Sequence, residues 1–150
     1  VPTTDIRLVL FTRADAAAAP AAAELEQRGI RVGAIPAGPG GSAPWPVFRA
    51  MEAADVYPPT AVVVVGDTVD DVLAGVNAAA WAVGVTDGSR ELGLTAGAFA
   101  ALPEHEREQR REQLRTVFFD AGADGVVDTP AELPGLINEL GRLLAEDEEG

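Results

Sequence analysis

GDTVDD occupies residues 66–71 and directly follows AVVVV at 61–65. The apolar run has no polar side. It reads as a strand of a parallel sheet covered on both faces. The run breaks at Gly66 into two acids and a hydroxyl, and the next apolar positions, Val72, Leu73 and Val76, recur at helical spacing. Strand, glycine break and helix start make half of a βα unit. Asp67 then stands just past the strand end, and Asp71 falls in the first turn of the following helix or its approach. Thr68 is placed to cap that helix or to offer a hydroxyl. Two carboxylates meeting there can hold Mg²⁺ through oxygen ligands. They can equally be an acidic helix start that complements the helix dipole.

The same alternation extends outward from this unit. Strand-like runs occupy 7–12 (RLVLFT), 31–35 (RVGAI), 82–86 (AVGVT) and 124–127 (DGVV). Helical patterns occupy 14–28, 45–55, 69–80, 104–121 and 130–145, with a short one near 95–102. Pro20 kinks the first helix or delays its start, and Gly29 closes it. Strands and helices alternating at this length predict a three-layer α/β fold, with a parallel sheet of about five strands between helices. The loops at 36–46 and 86–103 both leave strands at the carboxyl edge, where open α/β sheets bind ligands. One domain is expected over 1–145, with a frayed acidic tail at 146–150.

Composition excludes several chemistries. The 150 residues carry a net charge of -13, which disfavours nucleic acid and anionic membrane surfaces as partners. No apolar stretch approaches the ~18 residues of a membrane span. The start, VPTTDIR, has no signal-peptide pattern, so a cytoplasmic protein is expected. It also lacks an initiator Met, which suggests a chain that begins inside a longer one. There is no Cys, hence no thiolate chemistry, and all 11 basic residues are Arg, so no side-chain amine is present for a Schiff base. The single His, His105, sits in the charged segment PEHEREQRREQ and reads as solvated. Arg107, Arg110, Arg111 and Arg115 alternate with Glu and read as ion pairs on a helix surface.

The segment VYPPTAVVVVGDTVDDVLAGVNAAAWAVGVTDGSRELGL at 56–94 resembles the fourth motif of the haloacid dehalogenase (HAD) superfamily, and more narrowly the phosphonoacetaldehyde hydrolases (phosphonatases). The shared blocks are Val56–Pro59, Val65–Asp71, Gly75–Val85 and Glu91–Leu94, with Ala43–Trp45 before them and 121–137 after. The resemblance implies a Rossmann-like HAD core. It also implies an Asp nucleophile after the first strand, Mg²⁺, a cap-domain Lys and a basic residue in the third motif. Of these only the fourth motif is whole, in Asp67, Thr68 and Asp71. No D-x-A-G-T or D-x-D-G-T motif occurs, no cap segment is evident, and Gly40, Gly41 and Ser42 stand where the basic residue belongs.

Three readings of strand 7–12 remain. It is the family's second strand, with the nucleophile strand missing. Or it fills the central slot, with Thr12 where the nucleophile would be. Or another polypeptide supplies the missing strand. The second closes a five-stranded sheet without unpaired backbone in the core. In each version Thr12 lies near Asp67, and Asp15 is too late to be the nucleophile.

The expected function is therefore a capless, degenerate HAD protein without phosphatase or phosphonatase activity, binding a small molecule in the residual pocket or serving an accessory role. One alternative is a lyase, cyclase or isomerase using Asp67 or Asp71 as general acid or base. The other is a partial hydrolase completed by a missing segment or partner. The candidate metal ligands are Asp67 and Asp71, with no cofactor required and weak Mg²⁺ binding at best. The candidate ligand-binding residues are Thr12, Arg13, Ser42, Trp45, Gly66 and Thr68. Burial is expected to raise the pKa of a metal-free Asp67, unless its side chain only caps the helix. Self-association, or a partner over the capless face, is expected through Pro44, Trp45, Pro46, Leu92 and Leu94.

Overall fold

The computed structural model describes residues 6–13, 15–35 and 41–149, with side chains to 142. Ala14, the loop positions 36–40 and the side chains of the tail lie outside the described residues. Five parallel strands, β1 (Leu8–Phe11), β2 (Arg31–Ala34), β3 (Val62–Gly66), β4 (Trp81–Val85) and β5 (Gly125–Val127), form one sheet in the order β2-β1-β3-β4-β5. β1 pairs directly with β3, Leu8 opposite Val62 through Phe11 opposite Val65. In this register no strand lies between them, and β1 fills the central slot of the sheet.

Among the described residues there are six α-helices: α1 (Ala19–Gln27), α2 (Trp45–Ala54), α3 (Val69–Asn77), α4 (Ala96–Ala100), α5 (Glu104–Asp120) and α6 (Leu133–Glu149). Alternate residues of β1 and β3 serve opposite faces, as the two-residue strand period requires. Val9, Phe11, Val63 and Val65 pack with Leu25 of α1 and with Leu133 and Ile137 of α6. Leu8, Leu10, Val62 and Val64 pack with Val47 and Met51 of α2. Val72 of α3 meets Leu114 and Phe118 of α5 over Ala82. Gly84 is where Phe118 crosses β4.

Two boundaries differ from the sequence expectation. Pro20 delays α1, which begins at Ala19 in place of 14, because proline suits only the first turn. α6 continues to Glu149 and absorbs the expected tail, since Ala and Glu are good helix formers. No helix among the described residues is long and apolar enough to cross a membrane.

Candidate functional site at the carboxyl edge

β1 and β3 end side by side, and this brings Thr12 to the GDTVDD segment. Thr12 Oγ1 donates to Asp71 Oδ2 at 2.8 Å, and the Asp67 amide donates to the same oxygen at 3.2 Å. Gly66 is required beneath them. A Cβ there would lie 2.2 Å from Asp71 Cβ. Thr68, not Asp67, caps α3: its Oγ1 accepts from the Asp71 amide at 3.1 Å. Glu91 Oε2 adds a second cap by accepting from the Val69 amide at 2.9 Å.

Asp67 is buried, 5% exposed, and its partner is a residue that sequence patterning did not single out. Arg90 lies in the loop leaving β4. Its Nη2 donates to Asp67 Oδ1 at 2.7 Å, and its Nε and backbone amide donate to Oδ2 at 3.1 and 3.0 Å. Nη2 also reaches Asp71 Oδ2 at 3.3 Å, so one guanidinium holds both acids. Arg13 adds a longer contact, Nη1 to Asp67 Oδ2 at 3.4 Å, while its main partners are Asp15 and the Gly88 carbonyl. Burial by itself raises the Asp67 pKa, but the hydrogen bonds and charge of Arg90, helped by Arg13, outweigh it and hold the carboxyl below its usual value. The expected rise is thus reversed, and Asp67 is an ionised acceptor with no proton to donate near neutral pH. The Arg90 pKa is raised in return, chiefly by its hydrogen bond to Asp67. The only sequence signal for Arg90 is its place in the loop after the strand next to β3, and its partner becomes evident only once the strand order is known.

The Arg90–Asp67–Arg13 cluster is flanked by two concavities. On one side a cleft of about 430 Å³ is lined by Thr12, Val47, Thr68, Asp70, Asp71, Arg90 and Glu91, among others. On the other a smaller, more apolar pocket of about 210 Å³ is lined by Phe11, Arg13, Gly66, Asp67, Val85 and Pro130, among others. The expected site residues therefore divide between two pockets. Ser42 and Trp45 line neither of them: the Ser42 carbonyl accepts from Asn77 Nδ2 at 2.9 Å, and Trp45 is 60% exposed beside Phe48. Leu92 packs against the α3–α5 cluster and is not part of an exposed patch with Trp45.

Arg107, Arg111 and Arg115 of α5 pair with Glu along the helix as expected, and the last two also reach acids off it. Arg111 donates to both oxygens of Asp87 at 2.8 and 3.1 Å, and Arg115 Nη2 donates to both oxygens of Asp128 at 2.9 and 2.7 Å. They clamp α5 to the ends of β4 and β5, in addition to their pairing along the helix with Glu108. Buried Thr86 joins them by donating to Asp128 Oδ1 at 2.7 Å. Burial raises the Asp128 pKa, but Arg115 and Thr86 more than offset this and leave it lowered. A depressed folded pKa stabilises fully above the unfolded value of about 3.9, declines below it and is lost once pH falls through the folded value. Urea unfolding of Arg115→Met across that acid range should therefore show a shallower loss of stability than the parent. An unchanged acid limb would contradict the clamp.

The Mg²⁺ that the resemblance implies does not fit these residues. Among the described residues no cluster of three or more His, Cys, Asp or Glu side chains could hold a metal. Asp67 already accepts four N–H bonds, three at Oδ2 and one, from the Arg90 guanidinium, at Oδ1.

No protein-family model matches the chain. Curated relatives do: the phosphonoacetaldehyde hydrolase of Lactiplantibacillus plantarum is 40% identical over 110 residues, 73% of this chain and 42% of that protein. That of Lysinibacillus sphaericus is 40% identical over 104 residues, 69% of this chain and 39% of that protein. The chain resembles the phosphonoacetaldehyde hydrolases. This phosphonatase-like chain spans about two fifths of the length of those relatives. Its fold is HAD-like. A solved phosphonoacetaldehyde hydrolase-like protein from Oleispira antarctica superposes with a TM-score of 0.81 at 23% identity, covering 90% of this chain and 59% of that one. A second solved chain superposes with a TM-score of 0.82 at 18% identity, covering 95% of this chain and 97% of that one.

Proposed function

We propose that this phosphonatase-like chain binds a small polar molecule at the carboxyl edge and does not hydrolyse phosphonates or phosphate esters. The observation that carries this reading is the Arg90 guanidinium bonded to both Asp67 and Asp71. In the hydrolases it resembles, these acids would serve a metal. Here they are charge-neutralised from within the chain, and Thr12 stands at the end of the strand beside them. Two groups lining the larger cleft keep spare capacity: Asp71 Oδ1 and Arg90 Nη1 take no hydrogen bond among the described residues. A ligand that donates to the first and accepts from the second, such as an amide or a hydroxyl, suits them. The acid–base alternative is weakened at Asp67, because an ionised carboxylate with a lowered pKa is neither a proton donor nor a strong base.

The chain should release neither acetaldehyde from phosphonoacetaldehyde nor phosphate from p-nitrophenyl phosphate above background, with or without Mg²⁺. Turnover that requires Mg²⁺ and disappears in Asp67→Asn would overturn the reading. The span of the match supports a second reading, a hydrolase completed by a further segment or partner. An upstream nucleophile motif in the same coding region, restoring acetaldehyde release when included, would decide for it.

A further inference from the structure

We propose that Arg90 is the resident cation of the two-carboxylate site, filling the place of a divalent ion, and that its removal converts the site into a divalent-cation site. The inference deepens the non-hydrolytic reading above and rests on it only for the identity of the site.

The guanidinium is delivered by a fastened turn. Ser89, buried at 1% exposure, donates through Oγ to the Asp67 carbonyl. Its hydroxyl also accepts from the Glu91 amide at 3.1 Å. The Arg90 amide bonds Asp67 Oδ2, and Glu91 caps the neighbouring helix at Val69. Three consecutive residues are thus tied to the β3–α3 junction, and the single turn Arg90–Leu92 ends at Gly93 with φ 67°. The charge that faces Asp67 is set by backbone position, not by a long side chain that happens to swing in.

A divalent ion needs the oxygen lone pairs that Arg90 occupies, and it would meet a full positive charge there. Mg²⁺ also demands a near-octahedral oxygen shell, which Asp67 and Asp71 alone do not supply while Arg90 holds them. With the guanidinium gone, Asp67 is buried with only the backbone amide of residue 90 and the weak Arg13 contact, and Asp71 keeps its anchors at Thr12 and the Asp67 amide. Two adjacent carboxylates short of positive charge then favour a hydrated divalent ion. A guanidinium bound in this bidentate way is not reproduced by the point charge of Lys, but Lys keeps the positive charge that excludes a metal.

Mn²⁺ titration followed by electron paramagnetic resonance tests this on the whole chain. The parent and Arg90→Lys should show no saturable site that depends on Asp67. Arg90→Ser and Arg90→Gln should each gain one, at least about tenfold tighter than any binding to the parent. That site should be lost when Asp67→Asn is added. Thermal unfolding should show the same pattern, with Mn²⁺ raising the Tm of the Ser and Gln variants only. The proposal is overturned if the parent binds Mn²⁺ at a site abolished by Asp67→Asn, or if the Gln variant folds and gains no site. A parent that binds Mn²⁺ through Asp67 yet releases no acetaldehyde sinks this inference and leaves the non-hydrolytic reading standing. Acetaldehyde release sinks that reading instead.

Discussion

Arg90→Ala is expected to lower the unfolding free energy by about 3 kcal/mol in metal-free buffer. Asp67 is 5% exposed, and Arg90 makes three of its four bonds. The substitution removes two of those three and leaves the backbone one. Stripping a partner from a buried charge costs about 3–5 kcal/mol, and the low end applies because half of the Arg90 side chain is in solvent and water can reach the gap. The loss should be coupled to Asp67. In an Asp67→Asn background no buried charge is left behind, so Arg90→Ala should cost there about 1 kcal/mol or less, the worth of neutral hydrogen bonds. Chemical denaturation of the four proteins measures the coupling. Equal costs of Arg90→Ala in both backgrounds would show that the guanidinium is only a surface contact.

Phe118→Ala should cost about 3–5 kcal/mol, the range for emptying a buried aromatic site. Phe118 is fully buried, and its ring lies against β4 over Gly84, packed with Ala82 and with Val72 of α3. The fit is tight from both sides. A Cβ on Gly84 would sit 2.4 Å from the ring, so Gly84→Ala should destabilise by about 1–3 kcal/mol through overpacking. The two sites should be non-additive. Phe118→Leu leaves room for the new methyl, so Gly84→Ala should be cheaper in that background than in the parent. Thermal unfolding of the four proteins reads this directly, and strict additivity would mean that the ring and the glycine do not share one space. The consequence reaches the site, because α5 also holds Asp87 and Asp128 through Arg111 and Arg115.

Much of the α/β core could be derived from local pattern. The run AVVVV, the glycine break and the apolar spacing of 69–80 specify a buried strand and the helix after it. Turn and cap chemistry is local too. Pro20 limits where α1 starts, and Thr68 caps α3 through bonds between near neighbours in the chain. The resemblance over 56–94 likewise needed only the order of residues.

The interactions that decide what the acids do are not local. Arg90 and Asp67 are separated by a helix and a strand. They meet only because β4 pairs with β3, and nothing in the hydropathy of GSRELGL reveals which acid the arginine will face. The direction of the Asp67 pKa shift depended on that meeting: burial could be read from the apolar run, but the opposing charge could not. The same holds for Arg111 and Arg115, whose i,i+3 spacing to Glu suggested a solvated helix face until the ends of β4 and β5 were placed beneath them. The sequence by itself determined the strands, the main helices and the acidic break at the sheet edge, because those follow from backbone propensity and the period of burial. Only the tertiary structure decided that β1 pairs directly with β3 and that Arg90 covers Asp67 and Asp71, because strand order and long-range charge pairing arise from packing between segments far apart in the chain.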